Sequence, residues 1–272
     1  MIEGTGRAME ITPPYIALGS RLRGIPEVLT LGVKPNYPDY TAEEQALITA
    51  APIVLYPTLN YAQFFTTMGK KIFPSLETYL YADDKIKQTT LFSLLGLPHP
   101  RTRFYYRPRI DLIRQDFSFP FIAKVPRASA RGRGVFLIRN ASELLQYLHR
   151  TRIAYIQEYL PHNRDLRVVL INYKVVIAYW RLQATGEFRA NVHQGGTIDF
   201  DNIPSEALRL AQKCARACRL NDVGLDFLHS NNRWHLIEAN MQYGRLGLAQ
   251  KGLVLKEVIR KMLLAGELLS SD

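Results

Sequence analysis

Two short apolar runs each carry one acid near the centre: Gly-Leu-Asp-Phe-Leu at 224–228 and His-Leu-Ile-Glu-Ala at 235–239. A carboxylate inside an apolar segment is unfavourable unless it has a partner. Both runs read as β-strands, 223–228 and 234–239, around the turn residues Ser230, Asn231 and Asn232. The register of such a hairpin follows from its loop length. A three-residue loop at 230–232 sets His229 opposite Arg233 and Asp226 opposite Leu236. Asp226 then shares a face with Glu238, diagonal to it and roughly 7 Å away at Cα. Glu238 shares its face with Asn240, two residues on. A two-residue turn would send the two acids to opposite faces and end the metal reading. Three oxygen-bearing side chains on one face suit a hard cation such as Mg2+. The alternative is a pair of surface acids on a half-exposed hairpin.

The 272 residues leave room for roughly two domains. A 47% hydrophobic and 22% charged composition excludes disordered, collagen-like and simple coiled-coil chains. No apolar run approaches the ~20 residues that span a bilayer. Residues 1–30 lack a basic start followed by an apolar core, so neither a secretory signal nor a membrane partner is expected. Cys214 and Cys218 lie four apart on one face of a predicted helix and read as small buried hydrophobes in a reduced, cytoplasmic setting.

Residues 1–80 read as a small, loop-rich α/β region. Thr41 and Glu44 form a capping-box pattern for a helix to about residue 50, and a short strand follows at 53–56. Asn60 is the expected cap of a second helix ending at Gly69. Asp83 is the expected cap of a helix over 85–95, with Gly96 at C′. Strands follow at 121–125, 135–138 and 153–159, with a helix starting at Asn140. Beyond them a hairpin of 166–171 and 174–180 turns at Asn172–Tyr173, and helices are expected over 204–220 and 253–264.

A second constellation is Lys124 with the loop Ala-Ser-Ala-Arg-Gly-Arg-Gly at 128–134, between two strands. The small residues Ser129, Gly132 and Gly134 let backbone N–H groups approach a polyphosphate, and Arg131 and Arg133 can add charge-assisted bonds. There is no Gly-Lys-Ser/Thr, and no helix starts at the glycines, so this is neither a P-loop nor a dinucleotide fingerprint. The alternative is a solvated basic hairpin turn. The net charge of +11 points to an anionic partner. Much of it lies in 101–139, where nine arginines and Lys124 stand against two aspartates, a net +8. A nucleic-acid partner is the competing reading of that segment, although no helix-turn-helix, zinc or RNP pattern accompanies it.

Further polar groups follow in order: Gln157-Glu158-Tyr159-Leu160, Arg164-Asp165-Leu-Arg167 and Phe188-Arg189-Ala-Asn191. With Ala-Asp-Asp-Lys85, Phe-Ile-Ala-Lys124 and Glu238-Ala-Asn240, this order resembles the ATP-grasp superfamily over about residues 82–248, specifically the RimK-like carboxylate–amine (glutamate) ligases. The resemblance implies an α/β ATP-grasp fold with a short N-terminal pre-ATP-grasp lobe. The expected divisions are 1–80, a central lobe at 81–154 with the phosphate loop, and a C-terminal lobe at 155–272 with the metal site. ATP would lie between the second and third lobes. Lys85 and Lys124 would neutralise its phosphates, and the 157–160 segment would bind adenine largely through backbone. Asp165 would contact the nucleotide, with Arg167 near nucleotide or substrate. Asp226, Glu238 and Asn240 would hold Mg2+ (or Mn2+). Arg189 and Asn191 would assist phosphoryl transfer.

The implied reaction joins an acidic amino acid, or a peptide or protein carboxylate, to an amine through an acyl phosphate; a thiol or hydroxyl acceptor is the alternative. A homo-oligomer is compatible with this reading. The chain departs from the family at Met241-Gln-Tyr-Gly-Arg245, where members often carry Ser-x-Pro, and in the two arginines of its phosphate loop. These departures leave the substrate open.

Overall fold

Parallel pairing of very short strands organises the N-terminal part of the computed structural model, which describes residues 15–126, 134–183, 197–244 and 246–269. In chain order come β1 (Tyr15–Ala17), β2 (Val28–Thr30), α1 (Ala42–Ala50), β3 (Val54–Leu55), α2 (Leu59–Thr67) and β4 (Ile72–Phe73). The strands form a parallel sheet in the order β2-β1-β3-β4. Ile16, Leu18, Ile48, Val54, Tyr61 and Phe65 fill its core. The expected capping box is present, since Thr41 accepts from the Glu44 N–H while the Glu44 carboxylate accepts from the Thr41 N–H. The second helix differs: it begins one residue before Asn60, with Thr58 at the cap position.

The described residues fall into two compact units, one within Met1–Leu76 and Val254–Asp272, the other within Glu77–Leu253. The second unit opens with α3 (Leu76–Tyr81) and α4 (Lys85–Leu94). Asp84, not Asp83, caps α4, accepting from the Ile86 and Lys87 N–H groups. Asp83 instead takes a left-handed conformation at φ 68°. The helix ends as expected, with Gly96 at φ 62°.

Next come β5 (Thr102–Tyr106), α5 (Ile110–Asp116), β6 (Phe121–Lys124), β7 (Val135–Ile138), α6 (Ala141–Leu148) and β8 (Ile153–Glu158). They build an antiparallel sheet, β5-β8-β6-β7. Alternation places Ala123, Ala154 and Ile156 in a core with Ile113, Leu144 and Tyr147 of the two helices. Lys124, Tyr155 and Gln157 therefore share the opposite face.

A five-stranded sheet completes this unit, in the order β11-β10-β9-β12-β13. Its strands are β9 (Arg164–Ile171), β10 (Lys174–Leu182), β11 (Thr197–Asp199), β12 (Asp222–Ser230) and β13 (Arg233–Asn240), with α7 (Ser205–Ala217) between β11 and β12. Leu166, Val168, Leu170, Val223, Leu225, Phe227 and Leu236 pack with Ala207, Ala211, Cys214 and Cys218 in one core. Both cysteines are free and buried, and burial pushes their thiols up to about 12. Phe92 and Leu97 join the same core, while Thr89 bonds the Tyr155 hydroxyl at 2.9 Å, so α4 touches both sheets. After α8 (Leu246–Gln250) the chain ends in α9 (Leu255–Leu264), in the first unit, where Arg260 pairs with Glu27 at 2.7 Å.

Candidate active site

The face of the five-stranded sheet away from α7 carries the charges. Reading the registers across neighbouring strands gives one row: Tyr179, Arg167, Asp226 and Glu238. Asp165 and Arg181 are directly paired two residues further along. Asn240 lies across from Gly224 on the other side.

Two bulges make this row possible. The turn between β12 and β13 is Asn231–Asn232, two residues at φ 51° and 57°, with Ser230 opposite Arg233. Both asparagines supply the left-handed backbone that such a hairpin needs. The expected three-residue loop is therefore wrong, and a regular ladder would set Asp226 against Ile237. A bulge shifts the register between Phe227 and Asp226, so that Asp226 opposes Glu238 directly rather than diagonally. The β9–β10 hairpin repeats the device. It turns at Asn172–Tyr173 as expected, and a register shift between Val175 and Ile177 brings Arg181 opposite Asp165.

Asp226 is 4% exposed and held by cations. Arg167 donates from Nε to Oδ1 and from NH2 to Oδ2, the latter at 2.7 Å. Arg181 reaches Oδ2 at 3.0 Å while clamping both oxygens of Asp165 at 2.6 and 2.8 Å. Burial pushes the Asp226 carboxyl up, but the two guanidinium groups outweigh it and hold the group ionised. Asn240 Nδ2 completes the shell at 3.4 Å. Arg167 also donates to the Tyr243 carbonyl at 2.6 Å, and the Tyr243 hydroxyl donates to Asp222 at 2.8 Å. Tyr243 lies so close over the sheet that a Cβ on Gly224 would stand 2.3 Å from its own Cβ.

Two lysines arrive from other elements. Lys85, in the first turn of α4, pairs with Glu238 Oε1 at 3.0 Å. Lys124, 5% exposed at the end of β6, places Nζ 5.2 Å from the Tyr155 ring centroid. Burial pulls the Lys124 ammonium down to about 8; Glu238 and Asp226 oppose that pull, and Lys85 adds to it. The structure thus brings together Lys85, Lys124, Arg167, Asp226, Glu238 and Asn240. Gly134 closes the base of the basic loop by accepting from the Val125 N–H at 2.7 Å. Ser129, Arg131, Gly132, Arg189 and Asn191 lie outside the described residues.

The 157–160 segment uses its side chains internally. Gln157 donates to Thr102 and Tyr155, and Glu158 accepts from the Arg101 N–H at 2.6 Å. His162 Nδ1 lies 2.7 Å from the Leu160 carbonyl oxygen, and Tyr159 is half-buried. Any adenine contact here would fall to backbone. Asp165 faces Arg181, which sequence reasoning missed because the expected strand stopped at Trp180. Its signal was present: an arginine near the end of an otherwise apolar strand, across a tight turn from an aspartate. In the 101–139 segment, Arg103 pairs with Asp116, Arg109 pairs with Asp111, and Arg101 and Arg114 lie over Phe117 and Phe119.

Among the described residues no group of three His, Cys, Asp or Glu side chains is placed to hold a metal. The candidate set is two carboxylates and an amide. Its chemistry suits a hard cation: Glu238 keeps one oxygen, and Asn240 its carbonyl, with no hydrogen bond among the described residues, whereas Asp226 would have to share its oxygens with two arginines.

Comparison with known proteins adds the following. The model of a RimK-like ATP-grasp domain matches residues 82–261. A probable alpha-L-glutamate ligase of Parasynechococcus marenigrum (strain WH8102) is 32% identical over 225 residues, 78% of this chain and 48% of that protein. One of Marinomonas sp. (strain MWYL1) is 30% identical over 206 residues, 73% of this chain and 68% of that protein. The chain thus spans about half the length of the first of these relatives. In fold it is similar to the ATP-grasp ligase PsnB complexed with minimal precursor, Mg and ADP, at TM-score 0.66 and 15% identity, covering 93% of this chain and 98% of that one. It is also similar to D-alanine–D-alanine ligase from Bacillus anthracis, at TM-score 0.63 and 12% identity, covering 88% and 86%. No helix among the described residues is long and apolar enough to cross a membrane.

Proposed function

The chain belongs to the RimK-like ATP-grasp family of ATP-dependent carboxylate–amine ligases, and from that membership we propose that it activates a carboxylate with ATP and joins it to an amine. The γ-phosphoryl group passes to a carboxylate oxygen, leaving ADP and an acyl phosphate. The amine nitrogen attacks the acyl carbon, the C–O bond to phosphate breaks, and the amine loses a proton as the amide forms. No side-chain nucleophile is needed. The residues contribute position and charge.

The observation that carries this reading is the convergence of Lys85 and Lys124 on the acids of the β12–β13 hairpin. Lys85 and Lys124 bind phosphate oxygens, and the basic loop that ends at Gly134 adds charge toward the same phosphates. Asp226, Glu238 and Asn240 would hold Mg2+ or Mn2+, which would neutralise charge on the transferring phosphates. Arg167 keeps Asp226 ionised and in place. Arg189 and Asn191 act on the transferring phosphoryl group. We take the central and C-terminal lobes as the two sheets of the second unit, with residues 254–272 grouped with the N-terminal, pre-ATP-grasp region rather than with the C-terminal lobe. The relatives' names make glutamate the first amino acid to test, and the net charge of +11 favours an acidic substrate. The protein acts in the cytoplasm, where its two buried thiols stay reduced.

ADP release over a matrix of acids and amines tests the proposal. Turnover is expected with at least one pair containing glutamate or a glutamyl peptide. ATP at a hundred times its Kd would add about 2.7 kcal/mol of stability. No turnover with any pair, together with no stabilisation by ATP, would overturn it.

A further inference from the structure

An edge strand normally leaves one row of backbone groups without a sheet partner. β13 is such an edge, yet the segment around α4 takes up its outer side. The Leu236 N–H donates to the Pro98 carbonyl at 2.7 Å, and the Asp83 N–H donates to the Ala239 carbonyl at 3.0 Å. The Ala239 N–H donates to a side chain, Gln88 Oε1. Ala239 separates Glu238 from Asn240, so both of its backbone groups are tied down between the two candidate metal donors.

Gln88 is 1% exposed, and its Nε2 is buried with no hydrogen-bond partner among the described residues. An orphaned buried donor is unfavourable. A methionine would fill nearly the same space without that cost. What the amide contributes here is its acceptor oxygen. Gln88 also lies one helical turn beyond Lys85, on the same side of α4. One helix thus grips the strand at Ala239 and delivers an ammonium group to Glu238 beside it.

We propose that Gln88 is a positioning residue: it fixes the 238–240 segment to α4 and so sets the separation between the Lys85 ammonium and the metal donors Glu238 and Asn240. The inference rests on the reading under Proposed function and adds to it a residue outside the charged cluster.

The full chain is tested as Gln88→Met, which keeps volume and removes the acceptor, and Gln88→Glu, which keeps an acceptor oxygen. Three quantities are read: Mn2+ affinity of the ADP-saturated protein, ADP affinity without metal, and exchange of the Ala239 amide proton. Loss of an orienting partner behind a metal ligand typically weakens metal binding tenfold or more, so Gln88→Met should lower Mn2+ affinity about tenfold and leave metal-free ADP within about twofold. Gln88→Glu should recover most of the loss. A purely structural role would lower the melting temperature and leave Mn2+ affinity of the folded protein unchanged, which overturns the proposal. Equal losses for Mn2+ and metal-free ADP overturn it too. Should Gln88→Met not fold, the Ala239 amide decides: slow exchange in the wild type and in Gln88→Glu supports the anchor, and fast exchange in the wild type refutes it. A wild type that binds neither ADP nor Mn2+ would sink the functional reading instead, and the Ala239 amide would still report on the anchor.

Discussion

Asp226 and Glu238 stand directly opposite one another although the turn joining their strands has only two residues. Their environments differ sharply. Asp226 is buried between Arg167 and Arg181, whereas Glu238 is a partly exposed carboxylate paired with Lys85 and close enough to Lys124 to favour its charged form. Removing Asp226 leaves two buried guanidinium groups with less compensation, a loss of about 3–5 kcal/mol for a buried pair. Removing Glu238 breaks a partly solvated pair worth about 1 kcal/mol or less. Asp226→Ala should therefore lose much of its folding stability, while Glu238→Ala should melt near the wild type and have no metal-dependent turnover. Denaturant titration alongside an ADP-release assay separates the two. A Glu238→Ala protein with full activity would remove that residue from the metal site.

Lys124 makes a pH prediction. Its pKa of about 8 lies below the ordinary lysine value. Between pH 8 and about 10.5 the unfolded chain holds a proton that the folded chain has released, so this group's contribution to stability rises with pH through that window. Nucleotide binding runs the other way, because phosphate needs the ammonium form. ADP affinity should fall by up to about tenfold per pH unit above pH 8, with proton uptake detectable by calorimetry in buffers of different ionisation enthalpy. Lys124→Met should remove this dependence and weaken ADP, a charged hydrogen bond being worth about 1.5–3 kcal/mol. An unchanged pH profile in Lys124→Met would assign the titration elsewhere.

On the proposed function, the Lys85–Glu238 pair would couple metal to nucleotide. Lys85 pairs with Glu238 at 3.0 Å. A cation on Glu238 would compete with that pair and free the lysine for phosphate. Glu238→Gln should therefore tighten metal-free ADP about fivefold and weaken Mg2+–ADP, opposite signs from one substitution. Simple repulsion between Glu238 and phosphate would also tighten metal-free ADP, but that gain would persist in a Lys85→Met background. Partner exchange requires the gain to vanish there, and isothermal titration of the four proteins reads the difference.

Gly224 makes a packing prediction. A methyl group at this position would meet the Tyr243 Cβ, an atom fixed to the backbone. Overpacking of this kind costs about 1–3 kcal/mol, so Gly224→Ala should lower the unfolding midpoint by a corresponding amount. Adding Tyr243→Gly, which removes that Cβ, should give less than the sum of the two single losses. Strict additivity would show that Tyr243 moves away freely.

Much of this site was legible in the sequence. Asp226, Glu238, Asn240, Lys85 and Lys124 declare themselves by charge set within apolar or helix-starting contexts, and the order of the motifs carries the fold. The turn did not. Ser230 extends β12 instead of entering the loop, and nothing distinguishes Ile237 from its neighbours as the residue that shifts the ladder. Two opposite effects, a shorter turn and an extra residue, left the acids on one face. Arg181 was hidden in the same way, because a shift at 175–177 changes which residue meets Asp165. Gln88 was invisible because its partner is a backbone N–H on a strand that only the tertiary structure brings near. The two-residue strands β3 and β4 are too short to show alternation at all.

The Asn231–Asn232 tip has a practical use. It begins five residues beyond Asp226, roughly 17 Å along an extended strand. Both asparagines are exposed. A fluorophore attached to a side chain there would report on this lobe from outside the charged cluster and leave the two-residue turn, and with it the register, unchanged.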